Sequence, residues 1–201
     1  IAYHLYDSLT AFDLKAFAEG KPLVPVPSLA KSWKVDESGK VYTFEIREGV
    51  KFSSGRPVTA EAVKKSFERA QKVVELAKIT ARYPLLTKMK SEALDAKTLR
   101  ITLDDVFAPF LATLAAPNYG IVDVEEALKN AKGDDQGQAW LKANSAGTGP
   151  YILAEYIPEQ RIVLKRNPDY WGGWDGVKPK IDQIIQLHIP EAATRQLQIG
   201  R

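Results

Sequence analysis

The chain has 201 residues, of which 45% are hydrophobic and 26% are charged, a composition typical of a globular protein with one large or two small domains. The net charge is only +3 and acidic and basic residues are interspersed, which argues against a nucleic-acid-binding surface. The absence of cysteine excludes disulfides, thiolate metal sites and cysteine nucleophiles, and the apolar runs are too short for a transmembrane helix.

Both ends of the sequence suggest a fragment of a longer protein. The chain opens at Ile1 without Met, within a stretch that already has a structured pattern. Residues 190–199 resemble the beginning of a helix that stops at Arg201. A missing signal peptide is therefore not evidence against export.

The first half of the chain predicts two strands with a long helix between them. Residues 41–46 and 98–103 alternate apolar and polar positions, as half-buried strands do. Thr59 is placed to cap a helix, and Glu61 in its first turn is favoured by the helix dipole. Five apolar residues then recur at helical spacing and predict one buried stripe: Val63, Phe67, Ala70, Val74 and Ala77.

The second half predicts short helices followed by a hairpin. A helix is expected over residues 108–115, and a polar, helical stretch over 124–146. Strands are expected over 151–157 and 161–165, joined by a short loop, with a third strand over 181–189. Because strands and helices alternate without a strict βαβ rhythm, the predicted fold class is α+β or mixed α/β.

The stretch SAGTGPY at residues 145–151 raises the question of a phosphate-binding loop. Such a loop needs its glycines after a strand and at the start of a helix, so that backbone amides face the phosphate. Here Pro150 follows Gly149, and the aromatic and β-branched run from Tyr151 is strand-like. The motif is therefore predicted to be a structural turn, whose glycines supply dihedral angles forbidden to other residues.

Several stretches together resemble one protein family. They are LAKSW at residues 29–33, the run GKVYTFEIREGVKFSSGRPVTAEAV from residue 39, the turn GTGPY, the hairpin end RIVLKRNPDYW and the closing Ala193-Thr194-Arg195. In this order and spacing they are similar to the family 5 extracellular solute-binding proteins, the oligopeptide-, dipeptide- and nickel-binding receptors of ABC importers. The resemblance covers nearly the whole chain.

The resemblance implies a periplasmic-binding-protein type II fold, with two lobes around a ligand cleft. This chain would be a partial first lobe with an inserted subdomain, and the second lobe would be absent from it. Residues 1–6 and 124–201 would form the main subdomain, and residues 7–123 the insertion.

The implied function is the capture of peptides or other small molecules for an ABC permease, without covalent chemistry or cofactors. The location would be periplasmic, or extracellular with a lipid anchor, and a monomer is expected. A sensory domain of the same fold is the alternative, and a DNA-binding or transmembrane segment upstream would favour it. An enzyme would need catalytic groups outside this chain.

The candidate ligand-binding residues lie where the chain would pass between the two subdomains, because clefts form at such joins. Tyr6 and Asp7 precede the insertion, and a return segment leads back from it; Tyr83 is a further candidate after the long helix. The return segment consists of Pro117, Asn118, Tyr119 and Gly120, and it also fits a plain connecting turn.

No catalytic or metal site is predicted. His4 and His188 are the only histidines and lie far apart in the sequence, so structural or surface roles are expected for them. Trp33 and Trp171 are expected to anchor the core, whereas Trp174, flanked by glycines, is expected to be partly exposed.

Overall fold

The computed structural model describes residues 1–176 and 181–191. The helices are α1 (Ala2–Leu5), α2 (Leu14–Ala18), α3 (Ala60–Leu76), α4 (Pro84–Thr87), α5 (Phe110–Leu114), α6 (Val124–Lys129) and α7 (Gln138–Leu141). The strands are β1 (Thr10–Phe12), β2 (Pro25–Pro27), β3 (Ala30–Val35), β4 (Val41–Ile46), β5 (Met89–Ala93), β6 (Thr98–Leu103), β7 (Tyr151–Ile157), β8 (Arg161–Arg166) and β9 (Gln183–Leu187). Short 3₁₀ turns cover Thr80–Arg82 and Pro117–Tyr119.

The larger sheet has the antiparallel order β3-β4-β6-β5, with α3 packed across β5 and β6. Its two central strands bury alternate side chains, as their sequences predict. Phe44, Leu99 and Ile101 are fully buried there, and Val63 of α3 packs with them in one hydrophobic cluster. This cluster extends from Leu9 to Ile121, and we call it the large cluster.

Helix α3 begins where the sequence predicts. The Thr59 side chain accepts a hydrogen bond from the amide of Ala62, which satisfies one of the free amides of the first turn. Val63, Phe67 and Val74 of the predicted stripe are buried, whereas Ala77 is exposed because the helix ends at Leu76.

A second sheet, β7-β8-β9, is also antiparallel, and α1 packs on β7. Leu5, Tyr151 and Leu164 form a separate small cluster on it. The predicted hairpin is confirmed. The third strand is shorter than residues 181–189, and the predicted terminal helix and the closing Ala193-Thr194-Arg195 lie outside the described residues.

Other predictions need correction. The helix expected over 108–115 begins only at Phe110, since Pro109 serves as its N-cap. The stretch 124–146 holds two short helices, α6 and α7, rather than one. Strands β1, β2, β3 and β5 were not predicted by the alternation pattern.

Trp33 is only partly buried, so its expected role as a core anchor holds in part. It lies on β3, an edge strand, and packs on the large cluster with its ring centroid 6.4 Å from that of Phe44.

We expect Trp33→Ala to lower the free energy of unfolding by about 2 kcal/mol, and Phe44→Ala, at a fully buried site, by about 3–5 kcal/mol. Urea unfolding of both variants tests this order, and an equal or larger loss for Trp33→Ala would contradict it.

Candidate functional site

The chain crosses between the two clusters twice, and the two crossings lie side by side. The first runs through Tyr6 and Asp7, and the second begins at Gly120. The amide of Ile121 donates to the carbonyl oxygen of Asp7 at 2.9 Å, and the amide of Gly149 donates to that of Leu5 at 3.0 Å. The segments predicted to form the join are therefore in contact.

The glycines of the SAGTGPY turn are needed for close approach between chain segments. A Cβ on Gly147 would lie 2.1 Å from the carbonyl oxygen of Leu5 and 2.6 Å from Cδ1 of Tyr6, and one on Gly149 would lie 2.5 Å from the carbonyl oxygen of His4. Neither glycine has a positive φ, so the expected dihedral explanation is wrong for both. The chain does bend at Gly147, Gly149 and Pro150, directly before β7 begins at Tyr151.

Two glycines approach Tyr6 closely at this join. A Cβ on Gly120 would lie 2.8 Å from the Cβ of Tyr6, as one on Gly147 would lie 2.6 Å from its Cδ1. The pKa of Tyr6 is raised because burial disfavours the phenolate, an effect that a backbone hydrogen bond involving Ala146 and the charge of Arg69 partly offset. Tyr6 is therefore a neutral, half-buried phenol at the join.

Asp7 connects three separate parts of the chain. Its Oδ2 accepts hydrogen bonds from the Thr148 hydroxyl and the Trp171 indole, each at 2.8 Å. Burial raises the pKa of Asp7, and hydrogen bonds from Trp171, Thr148 and Tyr170 act in the opposite direction. The carboxylate thus holds the turn and the loop after β8 against the first crossing.

Trp171 makes a contact with Asp7 that the sequence did not reveal. Its ring packs against the large cluster, and the Arg47 guanidinium lies 5.2 Å from its centroid. Trp171 is 164 residues from Asp7 in the sequence, so no local sequence pattern indicates that the two side chains meet. Trp174 is half-buried, as expected, and its indole donates to the carbonyl of Asn167 at 2.8 Å.

The remaining candidate residues lie on the return segment or near it. Asn118 is exposed, whereas Tyr119 is 7% exposed and belongs to the large cluster. The pKa of Tyr119 is raised by burial and, less strongly, by the nearby Tyr83, which is itself half-buried on this cluster. The Asn118 side chain is therefore open to solvent, while Tyr119 supports the segment from the core.

An open groove runs along the first crossing. Its volume is about 550 Å³, and both Tyr6 and Asp7 line it. Phe12, Leu14 and Ala115 give it apolar walls. Tyr83 and the segment from Pro117 to Gly120 lie outside its lining, so the groove unites only part of the predicted set.

A second set of polar contacts joins the two subdomains predicted from the sequence. Arg56 pairs with Glu126 at 2.7 Å, and Lys65 pairs with Glu125 at 3.2 Å. Arg69, which is buried, donates to the carbonyl oxygen of Gln136 at 2.7 Å. These contacts link α3 and the loop before it to the segment that follows the second crossing.

Neither a metal site nor a membrane span is found in the described part of the chain. No group of three or more histidine or carboxylate side chains in residues 1–176 and 181–191 could hold a metal ion. No helix within those ranges has the length and apolarity needed to cross a membrane. His4 and His188 are both exposed.

Comparison with known proteins gives consistent matches. A family model described as bacterial extracellular solute-binding proteins, family 5 Middle, matches residues 24–201. The chain is 38% identical over 173 residues to the probable D,D-dipeptide-binding periplasmic protein of Escherichia coli K12, covering 86% of this chain and 32% of that protein. It is 37% identical over 171 residues to the nickel-binding periplasmic protein of the same organism, covering 85% of this chain and 30% of that protein.

The fold also matches solved structures. The dipeptide-binding protein from Pseudoalteromonas sp. SM9913 in complex with Met-Leu superposes with a TM-score of 0.79 at 25% identity. That match covers 100% of this chain and 40% of the solved one. The chain spans about a third of the length of the curated relatives it matches.

Proposed function

Because this chain belongs to the family 5 bacterial extracellular solute-binding proteins, we propose that the full-length protein captures a small solute outside the cytoplasmic membrane for an ABC permease. That family consists of binding proteins rather than enzymes. The fold is part of the type II periplasmic-binding-protein fold, as the sequence resemblance implies. The observation that carries the proposal is the family match over residues 24–201.

Residues 7–123 are proposed to form an inserted subdomain on a main subdomain of residues 1–6 and 124–201. The two hydrophobic clusters support this division, because the buried residues of the large cluster lie between Leu9 and Ile121. Those of the small cluster are Leu5, Tyr151 and Leu164. A second lobe, outside these residues, would close on the ligand by hinge motion.

The ligand is proposed to lie against the two crossings, with peptides as the expected class. The proposed contact residues are the predicted ones: Tyr6, Asp7, Tyr83, Pro117, Asn118, Tyr119 and Gly120. The names of the relatives include binders of D,D-dipeptides, dipeptides and nickel, so the class of solute varies within the family. We propose that the protein works as a monomer in the periplasm, or outside the cell on a lipid anchor.

Native mass spectrometry of the full-length protein, purified from its own host, tests the capture function. We expect a small molecule to remain bound at about one per protein and to leave on denaturation. Absence of any co-purified molecule, together with no binding from a host extract of small solutes, would contradict the proposal.

The exposed side chain of Asn118 provides a test of the site. Asn118→Ala should weaken binding of the co-purified ligand about 10-fold, because a hydrogen-bonding group facing the ligand is removed. Calorimetry on the full-length protein measures this, with Lys72→Ala on the exposed side of α3 as the control. Equal affinities of wild type and Asn118→Ala would place the ligand elsewhere.

A further inference from the structure

Arg47 is a half-buried arginine whose guanidinium is oriented by two contacts. Its Nε donates a hydrogen bond to the carbonyl oxygen of Ser28 at 2.7 Å, and Ser28 is itself buried. The guanidinium lies over the ring of Trp171, 5.2 Å from the ring centroid. A cation is attracted to the face of a tryptophan ring, so the hydrogen bond and the ring together fix the plane of the guanidinium.

The Nη groups of Arg47 have no acceptor in the described part of the chain. None of the ion pairs among residues 1–176 and 181–191 includes Arg47. The hydrogen bond that its side chain makes within those ranges uses Nε. The N–H donors on both Nη atoms therefore remain for another molecule, and they form a fork that matches the two oxygens of a carboxylate.

Arg47 lines an open pocket of about 380 Å³, which we call the Arg47 pocket. Its other lining residues are Lys31, Glu48, Gly49, Val50 and Trp171. Lys31 is paired with Glu45 at 3.2 Å, so Arg47 supplies the unpaired positive charge. Glu48 is exposed to solvent, where its charge is screened, and it disfavours a doubly charged anion more than a singly charged one.

We propose that the Arg47 pocket binds a small carboxylate anion, whose two oxygens accept hydrogen bonds from the Nη groups of Arg47. A planar, singly charged anion suits both the planar fork and the single unpaired cation. Among the described residues, this pocket and the groove along the first crossing have no lining residue in common. The site is therefore separate from the proposed solute site, and the inference does not depend on the proposed capture function.

The test uses the full-length protein, with any co-purified ligand left in place, and acetate as the probe. Acetamide has a similar shape without the charge and is the matched neutral probe. At constant ionic strength, we expect acetate to shift the NMR signals of the Arg47 Nε–H and the Trp171 indole N–H in a saturable manner. The affinity for acetate should be at least about 10-fold higher than that for acetamide, because only acetate makes a charge-assisted, bidentate contact.

Arg47→Lys keeps a positive charge at the pocket but removes the planar fork. This variant should bind acetate at least about 10-fold more weakly, as read from the Trp171 indole signal, whereas Arg100→Lys should bind it as wild type does. Arg100 is the matched control because it is also half-buried, belongs to no ion pair of residues 1–176 and 181–191, and lies on β6 outside the pocket. If Arg47→Lys folds poorly, the titration of wild type with the two probes still decides the question.

Several results would overturn the inference. One is an equal response of wild type to acetate and acetamide. Another is the absence of any shift at Arg47 and Trp171, which is the result expected if a carboxylate of the chain beyond residues 1–201 already occupies the fork. Equal acetate affinities of Arg47→Lys and wild type would show that the fork is not used. Displacement of a co-purified ligand by acetate would make the pocket part of the solute site rather than a separate one.

Discussion

Replacing Gly147 with alanine should lower the free energy of unfolding by about 3 kcal/mol or more. The new methyl carbon would lie 2.1 Å from the carbonyl oxygen of Leu5, and this neighbour is backbone, which cannot rotate away as a side chain can. Moving that backbone would disturb the hydrogen bond from Gly149 to Leu5 and the position of Tyr6. Forced overpacking of this kind is among the larger effects of single substitutions.

Urea unfolding followed by tryptophan fluorescence measures this effect, because the chain has four tryptophans. Gly20→Ala is the matched control: Gly20 has a φ of +84° and open space around it, so its substitution strains only the backbone, by about 1–2 kcal/mol. If Gly147→Ala were no less stable than Gly20→Ala, the turn could move away from the first crossing at no greater cost in stability than the control. The prediction would then be wrong.

The isolated segment of residues 1–201 should bind the ligand of the full-length protein at least about 100-fold more weakly. Small-molecule sites bury about 70–90% of their ligand, and this segment covers only 40% of the Met-Leu-bound relative. Without the proposed second lobe, polar groups of the ligand stay hydrated on the uncovered side, while the rigid-body entropy of association is still lost.

Calorimetry on the segment and on the full-length protein compares the two affinities, using the ligand identified by native mass spectrometry. Circular dichroism and a cooperative thermal transition must first show that the segment is folded. Equal affinities would place the whole site within residues 1–201, and closure of two lobes around the ligand would have to be given up.

The sequence revealed the middle of the larger sheet but missed its edges. The two predicted strands, β4 and β6, are the central pair, flanked on both sides and apolar at every second position. The missed strands, β3 and β5, are the two edges and contain lysines that face solvent. Edge strands commonly carry such residues because these discourage pairing with other chains. As a result, β3 and β5 lack the alternation of apolar and polar residues by which a strand is predicted.

The candidate site was predictable where it depends on chain connectivity. A segment that leaves a subdomain and one that returns to it must pass close together, and Asp7 and Ile121 do. The partners of Asp7 were not predictable, since Thr148 and Trp171 are brought to it only by tertiary packing. Whether a given tyrosine faces the ligand or the core, as at Tyr119, is likewise decided by packing.

The hydrogen bond between Ile121 and Asp7 has a consequence for how the molecule can change in size. More than half of the chain, residues 8–120, begins and ends at this one point. Chain ends that lie together allow a unit to be inserted, enlarged or removed with little effect on its host. A whole hairpin such as β1–β2 could thus be lengthened or deleted while the two attachment points kept their spacing, and the sheet of β7, β8 and β9 would not need to be rebuilt.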